Sequence, residues 1–473
     1  MLILLVVLAY FAALLAFSRL TSKRSNNETF FRADRRSPWY MVAFGMVGAS
    51  ISGVTFVSVP GMVLHSGMTY LQMCLGFIFG YLAIAFILLP VYYKLNLTTI
   101  YAYLHQRLGR CSYKTGASFF ILSKITGAAV RFYVVCIILQ RFVLDAYAVP
   151  FPLTVVVMVA LIWLYTHRGG IKTLVWTDSF QTLCLLLAVI LIAVHVIGAL
   201  HLSLGDAAKA VFSDSHSRIF VFDDWINRQY FWKQFLSGIF VVVVMTGLDQ
   251  DMMQKNLTCR TLREAQKDMC CYGLAFVPVN LLFLSLGVLL VQLSQQQGVA
   301  LPAVADDLLP MYAATGRLGT AVVVLFTIGV VAASFSSADS AMTALTTTWC
   351  VDVMERPHDE QLRRWTHGVV AFLFVLFILA FRAINSSSVI DAIYVICSYT
   401  YGPLLGLFAF GLFTRLSTRD AFVPCIAVAA PVLCYGIDCA SNAFFHYRFG
   451  YELLLLNGLF TFLGLLIFSR RRA

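Results

Sequence analysis

Long apolar runs separated by short polar segments fill the 473-residue chain. A helix that crosses a membrane needs about 20 predominantly apolar residues. The runs are continuous and do not alternate with polar residues, so they predict helices and exclude a transmembrane β-barrel. The pattern predicts thirteen spans, near residues 2–20, 39–66, 70–93, 116–146, 150–166, 173–199, 231–253, 269–293, 318–352, 365–384, 389–414, 420–438 and 452–469.

The composition narrows the class of protein. Hydrophobic residues make up 60% of the chain and charged residues 12%, about half the charged share of a soluble domain. These values exclude a cytosolic enzyme, a secreted disulfide scaffold and a disordered chain. The predicted fold class is therefore an all-α polytopic membrane protein. No basic residue precedes the first apolar run, which we interpret as a retained helix and not as a signal peptide.

The distribution of basic residues predicts the orientation of the chain. With the N-terminus outside, 23 Lys and Arg residues fall in cytoplasmic segments and 7 in external segments. Because basic residues concentrate on the cytoplasmic side, we predict an external N-terminus and a cytoplasmic C-terminus in a plasma membrane, the inner membrane of a bacterium. The same bias explains the net charge of +11 without nucleic-acid binding.

Two spans contain small, polar or helix-breaking residues where a continuous helix would need apolar ones. The span from 39 includes Gly48, Ser50 and Ser52, and the span from 231 ends in Met-Thr-Gly-Leu-Asp-Gln at 245–250. Interrupted backbone inside a membrane is tolerated where it is buried or lines a cavity. At matching positions in two blocks of five helices it favours an inverted-repeat transporter, although tight helix packing is the alternative. The predicted units are an N-terminal extra helix and cytoplasmic loop (1–38), the first repeat (39–199), an extracytoplasmic loop (200–230), the second repeat (231–414) and two C-terminal helices (415–473).

The span from 318 carries a serine-rich segment at residues 332–343. The hydroxyls of Ser336, Ser337 and Ser340 recur at three- and four-residue spacing, so several share one helix face. Asp339 lies among them, where a carboxylate costs roughly 2.5–3.5 kcal/mol at the bilayer centre. Hydroxyl, carbonyl and carboxylate oxygens suit a small hard cation. A polar packing seam explains the serines alone, but Asp339 favours ion binding.

A second carboxylate within a span is Asp178, about two turns into its helix from the cytoplasmic side. It is either part of an ion site or the partner of a lysine near the interface. The sequence contains no nucleophile–base pair and no set of metal ligands at a membrane face, so we predict that the protein is not an enzyme. A membrane sensor or a channel-like protein of the same fold is the alternative to a transporter.

Several short segments, in order along the chain, resemble the sodium:solute symporter family. The resemblance implies a LeuT-type fold with a five-plus-five inverted repeat, and sodium-coupled symport of a small polar organic solute by alternating access. The solute would be a sugar, an amino acid or a carboxylate such as sialic acid, and the partners would be that solute, sodium ions and membrane lipid. The matching segments are Ala49-Ser50-Ile51-Ser52-Gly53-Val54-Thr55-Phe56 with Pro60-Gly61, Gly169-Gly170-Ile171-Lys172 through Trp176-Thr177-Asp178, Ser336-Ser337 with Val351-Asp352, and Tyr401-Gly402-Pro403-Leu404-Leu405-Gly406-Leu407.

The resemblance also implies two cation sites. The principal sodium site would use backbone carbonyls and two hydroxyls, from Gly48, Ile51, Ala333, Ser336 and Ser337. A second site would join the helix-five aspartate to the serine-rich helix, through Asp178, Ser336, Asp339 and Ser340. This chain has Asp339 where the sialic acid carriers have a hydroxyl, so the second site would hold either sodium or a proton.

The substrate site would lie beside the first interrupted helix. Arg131 is in mid-span, where it would bind a substrate carboxylate bidentately or form an internal salt bridge to Asp339 or Asp249. Lys124, two turns nearer the cytoplasm, is predicted to extend its ammonium group toward the interface. The predicted substrate-binding residues are Thr55, Gln72, Arg131, Thr246, Tyr394 and Ser398.

Overall fold

A computed structural model describes residues 2–21, 26–167, 169–384, 389–445, 447 and 449–470. Helices dominate this part of the chain. The helices of the first half are Leu2–Thr21 (α1), Asn27–Arg32 (α2), Trp39–Ser50 (α3), Gly53–Ser66 (α4), Tyr70–Ala83 (α5), Leu89–Lys94 (α6), Ala102–Arg107 (α7), Arg110–Leu139 (α8), Phe151–Thr166 (α9) and Ile171–Ala199 (α10).

The second half continues with helices that fall in the remaining apolar runs and in the polar segments between them. They are Leu204–Ser213 (α11), Phe231–Val242 (α12), Gln250–Asn256 (α13), Leu262–Gln297 (α14), Leu308–Ala313 (α15), Thr320–Thr348 (α16), Glu360–Ile384 (α17), Val389–Thr400 (α18), Gly402–Phe413 (α19), Val423–Phe445 (α20) and Glu452–Ile467 (α21). Two short strands, Ser417–Thr418 (β1) and Ser469–Arg470 (β2), pair antiparallel.

Each of the thirteen predicted spans contains one or two of these helices. Seven helices are long and apolar enough to cross a membrane, and nine spans result if each of two bent pairs is counted as one. Four further apolar helices are shorter, at 10–17 residues. The all-α polytopic fold class is confirmed.

Both predicted interruptions are breaks in the described helices. The axes of α3 and α4 differ by 60°, and the chain turns at Ile51 and Ser52. A π-helical turn, Val243–Gly247, extends α12, and the next helix, α13, departs by 70°. We call these the first break and the second break.

Helices α3 and α16 both pack against α10. The contact with α3 is close because of Gly48: a Cβ atom there would lie 2.0 Å from Thr182 Oγ1 of α10. In the membrane, small residues let backbones approach in this way. Helix α16 is the most enclosed of the long spans, with 72% of its most apolar window buried. The serine-rich segment is therefore held in the centre of the protein, beside the first break.

Candidate functional site

The first break leaves backbone oxygens without partners. Ser52 N–H donates to the carbonyl of Ser50 at 3.1 Å, and Ile51 N–H donates to Val47. Among the residues that the structure describes, the carbonyls of Gly48 and Ile51 accept no hydrogen bond. Each unsatisfied carbonyl inside a membrane is costly. A bound cation would remove that cost.

One hydroxyl of α16 lies against this break, and the neighbouring hydroxyl contacts α10. Ser337 Oγ donates to the Ala49 carbonyl at 3.1 Å and to the Ala333 carbonyl at 3.3 Å. Ser336 is fully buried, and its Oγ donates to Asp178 Oδ1 at 2.8 Å. The structure therefore brings Ser337 to the segment that contains Gly48 and Ile51, and Ser336 to Asp178. Carbonyl and hydroxyl oxygens are the donors that a hard cation prefers, so this group of residues fits sodium.

Asp178 already has a cationic partner. Lys255 Nζ, from α13, lies 2.7 Å from Asp178 Oδ2, and both side chains are at most 2% exposed. At this separation the contact is a buried ion pair. Asp178 therefore pairs with a lysine, although with a buried one and not with one near the interface; its part in an ion site stays a prediction.

Asp339 is buried and held by hydroxyls. Tyr165 OH donates to Asp339 Oδ2 at 2.6 Å, and Ser340 Oγ donates to Oδ1 at 3.2 Å. No Lys or Arg of the described chain forms an ion pair with Asp339. The four residues of the predicted second cation site, Asp178, Ser336, Asp339 and Ser340, thus form two contacting pairs. Ser336 contacts Asp178, which also contacts Lys255. Ser340 contacts Asp339, which also contacts Tyr165.

A cavity of about 130 Å³ opens beside the first break. Thr55, Arg131 and Thr246, three of the predicted substrate residues, line it. The guanidinium of Arg131 makes no hydrogen bond or ion pair with the described residues, so neither predicted salt bridge, to Asp339 or to Asp249, is present. The other polar lining residues are Ser50, Ser52, Tyr70, Tyr81, Ser123, Lys124, Asp249, Asp251, Tyr272, Ser337 and Tyr401.

The carboxylates of the second break are held by Lys124. Its Nζ lies 3.1 Å from Asp249 Oδ2 and 2.6 Å from Asp251 Oδ2, and the lysine is 6% exposed. The prediction that Lys124 extends to the interface is wrong, because its ammonium group contacts these two carboxylates instead. Tyr401 OH also donates to Asp249, at 2.5 Å.

Two predicted substrate residues, Gln72 and Ser398, are not brought to the cavity. The amide group of Gln72 is used by the loop before α12: it donates to the Gln229 carbonyl at 2.9 Å and accepts from Val221 N–H at 3.1 Å. Ser398 is buried and its carbonyl accepts from Asn457. Tyr394 lies in α18, but its side chain is outside the described part of the chain.

Sequence reasoning missed Lys255, which it assigned to a cytoplasmic loop. A signal was available, because Asp251 and Lys255 are four residues apart directly after a helix break and before the polar loop. Sequence reasoning also missed the hydroxyl chain at the first break, in which Tyr81 OH donates to Tyr272 OH at 2.8 Å and Tyr272 OH contacts Ser50 Oγ.

The sequence profile of the sodium:solute symporter family matches residues 30–427. The chain belongs to this family. The sodium/sialic acid symporter NanT of Aliivibrio fischeri is 26% identical to it over 479 residues, 96% of this chain and 91% of NanT. The sodium/sialic acid symporter SiaT of Proteus mirabilis is 25% identical over 488 residues, 96% of this chain and 94% of SiaT.

The fold is that of LeuT-type transporters. A Na⁺-coupled sialic acid symporter in its substrate-bound, outward-open state matches with a TM-score of 0.85 at 19% identity, over 100% of this chain and 99% of that one. Mhp1, a nucleobase-cation-symport-1 family transporter, matches with a TM-score of 0.59 at 14% identity, over 92% of each chain. This symporter is therefore an integral, multi-pass secondary transporter that couples sodium to a small solute, and it is not an enzyme.

Proposed function

We propose that this symporter carries a small solute with a carboxylate group, such as a sialic acid, and that Arg131 binds the carboxylate. The observation that supports this proposal is the unpaired guanidinium in the cavity. Arg131 is half-buried; a partly desolvated cation without a counter-ion is unfavourable, and an anionic solute would supply the missing charge. Because guanidinium and carboxylate match as a two-bond fork, the pair also orients the solute.

Thr55 and Thr246 complete the polar wall around this carboxylate site. The two residues belong to the first and second broken helices, so one solute contacts both. The names of several relatives are in accord with an anionic solute. They include the two sialic acid symporters, human sodium-coupled monocarboxylate transporters at 23% and 24% identity, and the human sodium/iodide cotransporter at 29% identity over 50% of this chain.

Sodium would bind at the first break, to the carbonyls of Gly48, Ile51 and Ala333 and the hydroxyls of Ser336 and Ser337. The ion would then hold α3 and α4 against α16, and so fix one wall of the solute cavity. Binding of sodium raises the affinity for the solute, and by linkage binding of the solute raises the affinity for sodium. Rocking of one group of helices against the other would open the cavity to the second side of the membrane.

We assign the two five-helix blocks, 39–199 and 231–414, to the inverted repeats of this mechanism. The excess of basic residues in one set of loops supports an external N-terminus and a cytoplasmic C-terminus. The relatives NanT and SiaT come from bacteria. They support a location in a bacterial inner membrane.

The proposal is tested by uptake into liposomes that contain the purified protein. We expect labelled sialic acid, or another small carboxylate, to accumulate with an inward sodium gradient and not with potassium in its place. A thermal-shift screen of sugars, amino acids and carboxylates identifies the solute, since stabilisation grows with the ratio of ligand concentration to dissociation constant. Stabilisation by neutral sugars alone would contradict the proposal that the solute carries a carboxylate group. Sodium-independent uptake of every accepted solute would contradict the proposed sodium coupling.

Substitution of Arg131 tests whether this residue anchors the carboxylate of the solute. Arg131→Ala should weaken binding of the carboxylate solute about 10- to 100-fold, the effect of losing a hydrogen-bonded charge pair. Arg131→Lys should recover part of this loss, because it restores the charge without the fork. Arg141→Ala removes the same charge from an exposed position after the same helix and serves as the control. Equal affinities in all four proteins would exclude Arg131 as the anchor.

A further inference from the structure

Lys255 lies in an unusual place for a lysine of this protein. It is 1% exposed and stands on α13, the short helix after the second break. Its ammonium group contacts Asp178 of α10 at 2.7 Å. Asp178 in turn accepts a hydrogen bond from the hydroxyl of Ser336, which is one of the proposed sodium ligands. A fixed cation therefore lies one carboxylate away from the proposed sodium site.

The surrounding charges explain why a cation is needed at this point. Four buried aspartates lie near the two breaks and α16, at Asp178, Asp249, Asp251 and Asp339. Lys124 contacts Asp249 and Asp251. Lys255 contacts Asp178 and also interacts electrostatically with Asp339. Among the described side chains, Lys255 is the cation in contact with Asp178, and without it Asp178 would have none.

The geometry points to a tethered cation. We propose that the Lys255 ammonium group fills the position at Asp178 that a second sodium ion would require, so that this symporter binds one sodium ion, at the first break. The proposal rests on the proposed function of the Ser336–Ser337 site. It replaces the sequence-based prediction of a second ion at Asp178, Asp339 and Ser340. The position at Asp178 becomes a sodium site only when the lysine is removed.

The attachment of Lys255 has a mechanical consequence. A sodium ion can leave a site during transport, but Lys255 stays with α13. The Asp178–Lys255 contact joins α13, after the second break, to α10. Movement of α13 away from α10 therefore has to separate this ion pair.

Equilibrium binding of radioactive sodium to the purified protein tests the proposal. We expect one sodium ion per unaltered protein, and a Hill coefficient near one for sodium-dependent uptake. Lys255→Met should bind two sodium ions, because Asp178 is then free to take one. Asp178→Asn combined with Lys255→Met should again bind one ion. Because this double variant leaves no unpaired charge at positions 178 and 255, it controls for misfolding of the single variant. Lys255→Arg keeps the fixed cation and should also bind one.

Lys267→Met is the matched control, because it removes an exposed lysine from the following helix and should leave one ion bound. Two sodium ions in the unaltered protein would overturn this proposal alone, and so would a single ion in a folded Lys255→Met variant. Absence of sodium binding in every variant would overturn the coupled mechanism as well, which distinguishes that failure from the failure of the tethered cation.

Discussion

The two breaks solve the same problem with opposite chemistry. Residues 39–66, around the first break, contain no Asp, Glu, Lys or Arg, and the carbonyls of Gly48 and Ile51 are left open in the described structure. At the second break, Tyr92 OH donates to the Gly247 carbonyl at 3.0 Å and Tyr101 OH to the Leu248 carbonyl at 2.9 Å. Tyrosine hydroxyls thus satisfy two carbonyls of the second break, whereas at the first break we propose that a sodium ion takes this role.

This difference shows how a broken helix in a membrane can be either responsive or fixed. Backbone groups freed by the break must find partners. Where the partners are tyrosine hydroxyls and a salt-bridge network, the local structure does not depend on the solution outside. Where the partner is a mobile cation, the local structure changes with the cation concentration. Sodium coupling requires at least one break whose carbonyls are completed by a mobile cation. We propose that the first break is of this kind.

The largest effect on stability is expected from breaking the ion pairs of Lys124 with Asp249 and Asp251 at the second break. Lys124→Met leaves the buried carboxylates of Asp249 and Asp251 without their cationic partner, and breaking a buried ion pair in this way typically costs about 3–5 kcal/mol in the free energy of unfolding. Asp223→Asn, in the exposed pair with Arg218, should cost about 1 kcal/mol or less. Thermal unfolding in detergent compares the two variants. Equal losses would mean that the second break is not held by its charges.

Crowding the first break should have the next largest effect. Gly48→Ala places a methyl group 2.0 Å from Thr182 Oγ1, and such overpacking costs about 1–3 kcal/mol. Displacement of α3 should also raise the sodium concentration needed for half-maximal uptake. Gly198→Ala, in α10 with no atom within 4 Å of the new Cβ, is the control and should leave uptake unaltered. An unchanged sodium dependence in Gly48→Ala would argue against an ion at this break.

Removal of one proposed ligand should act on sodium alone. Ser337→Ala should raise the half-maximal sodium concentration about tenfold, or roughly 1.4 kcal/mol, and should abolish most of the sodium-dependent thermal shift. Ser334→Ala is the control, because its hydroxyl donates to Val330 of the same helix at 2.7 Å. If both variants keep the sodium shift of the parent protein, the principal site lies elsewhere.

The smallest change is expected from making the second break resemble the first. Tyr101→Phe removes the hydroxyl that satisfies the Leu248 carbonyl, at a cost of about 1 kcal/mol. Sodium dependence should stay the same, since no ion completes the second break. Tyr40→Phe, at an exposed ring, should have no effect on stability. A new sodium dependence in Tyr101→Phe would show that the two breaks are interchangeable.

The sequence predicted the fold well because long apolar runs and small polar interruptions are local features. The two breaks follow from Gly, Ser and Asp residues inside spans, whereas the principal sodium site at Ser336 and Ser337 rests on the resemblance to the family and stays a prediction. The ion pairs were harder to predict, since Lys124 and Asp249 are 125 residues apart. A 70° bend turns α13 inward, and hydropathy alone does not show that this bend buries Lys255.

Gln72 shows a different limit. Its helix and its polar character were predicted, but its side chain serves the loop before α12, through Val221 and Gln229. A polar residue in a span can satisfy the backbone of a neighbouring loop as well as a solute. The sequence does not distinguish the two uses, because the choice depends on which helix face meets the loop.

The ammonium group of Lys255 has an energetic consequence for transport. A cycle that moves one sodium ion with one carboxylate solute transfers no net charge, so the membrane potential, worth about 2.3 kcal/mol per charge per 100 mV, does no work on it. The highest accumulation of solute is then the ratio of sodium concentrations across the membrane. A protein without the lysine, and with a second mobile ion, would concentrate its solute further but would be driven by voltage. On our proposal, the side chain at 255 thus selects the sodium concentration gradient, and not the membrane potential, as the energy source for uptake.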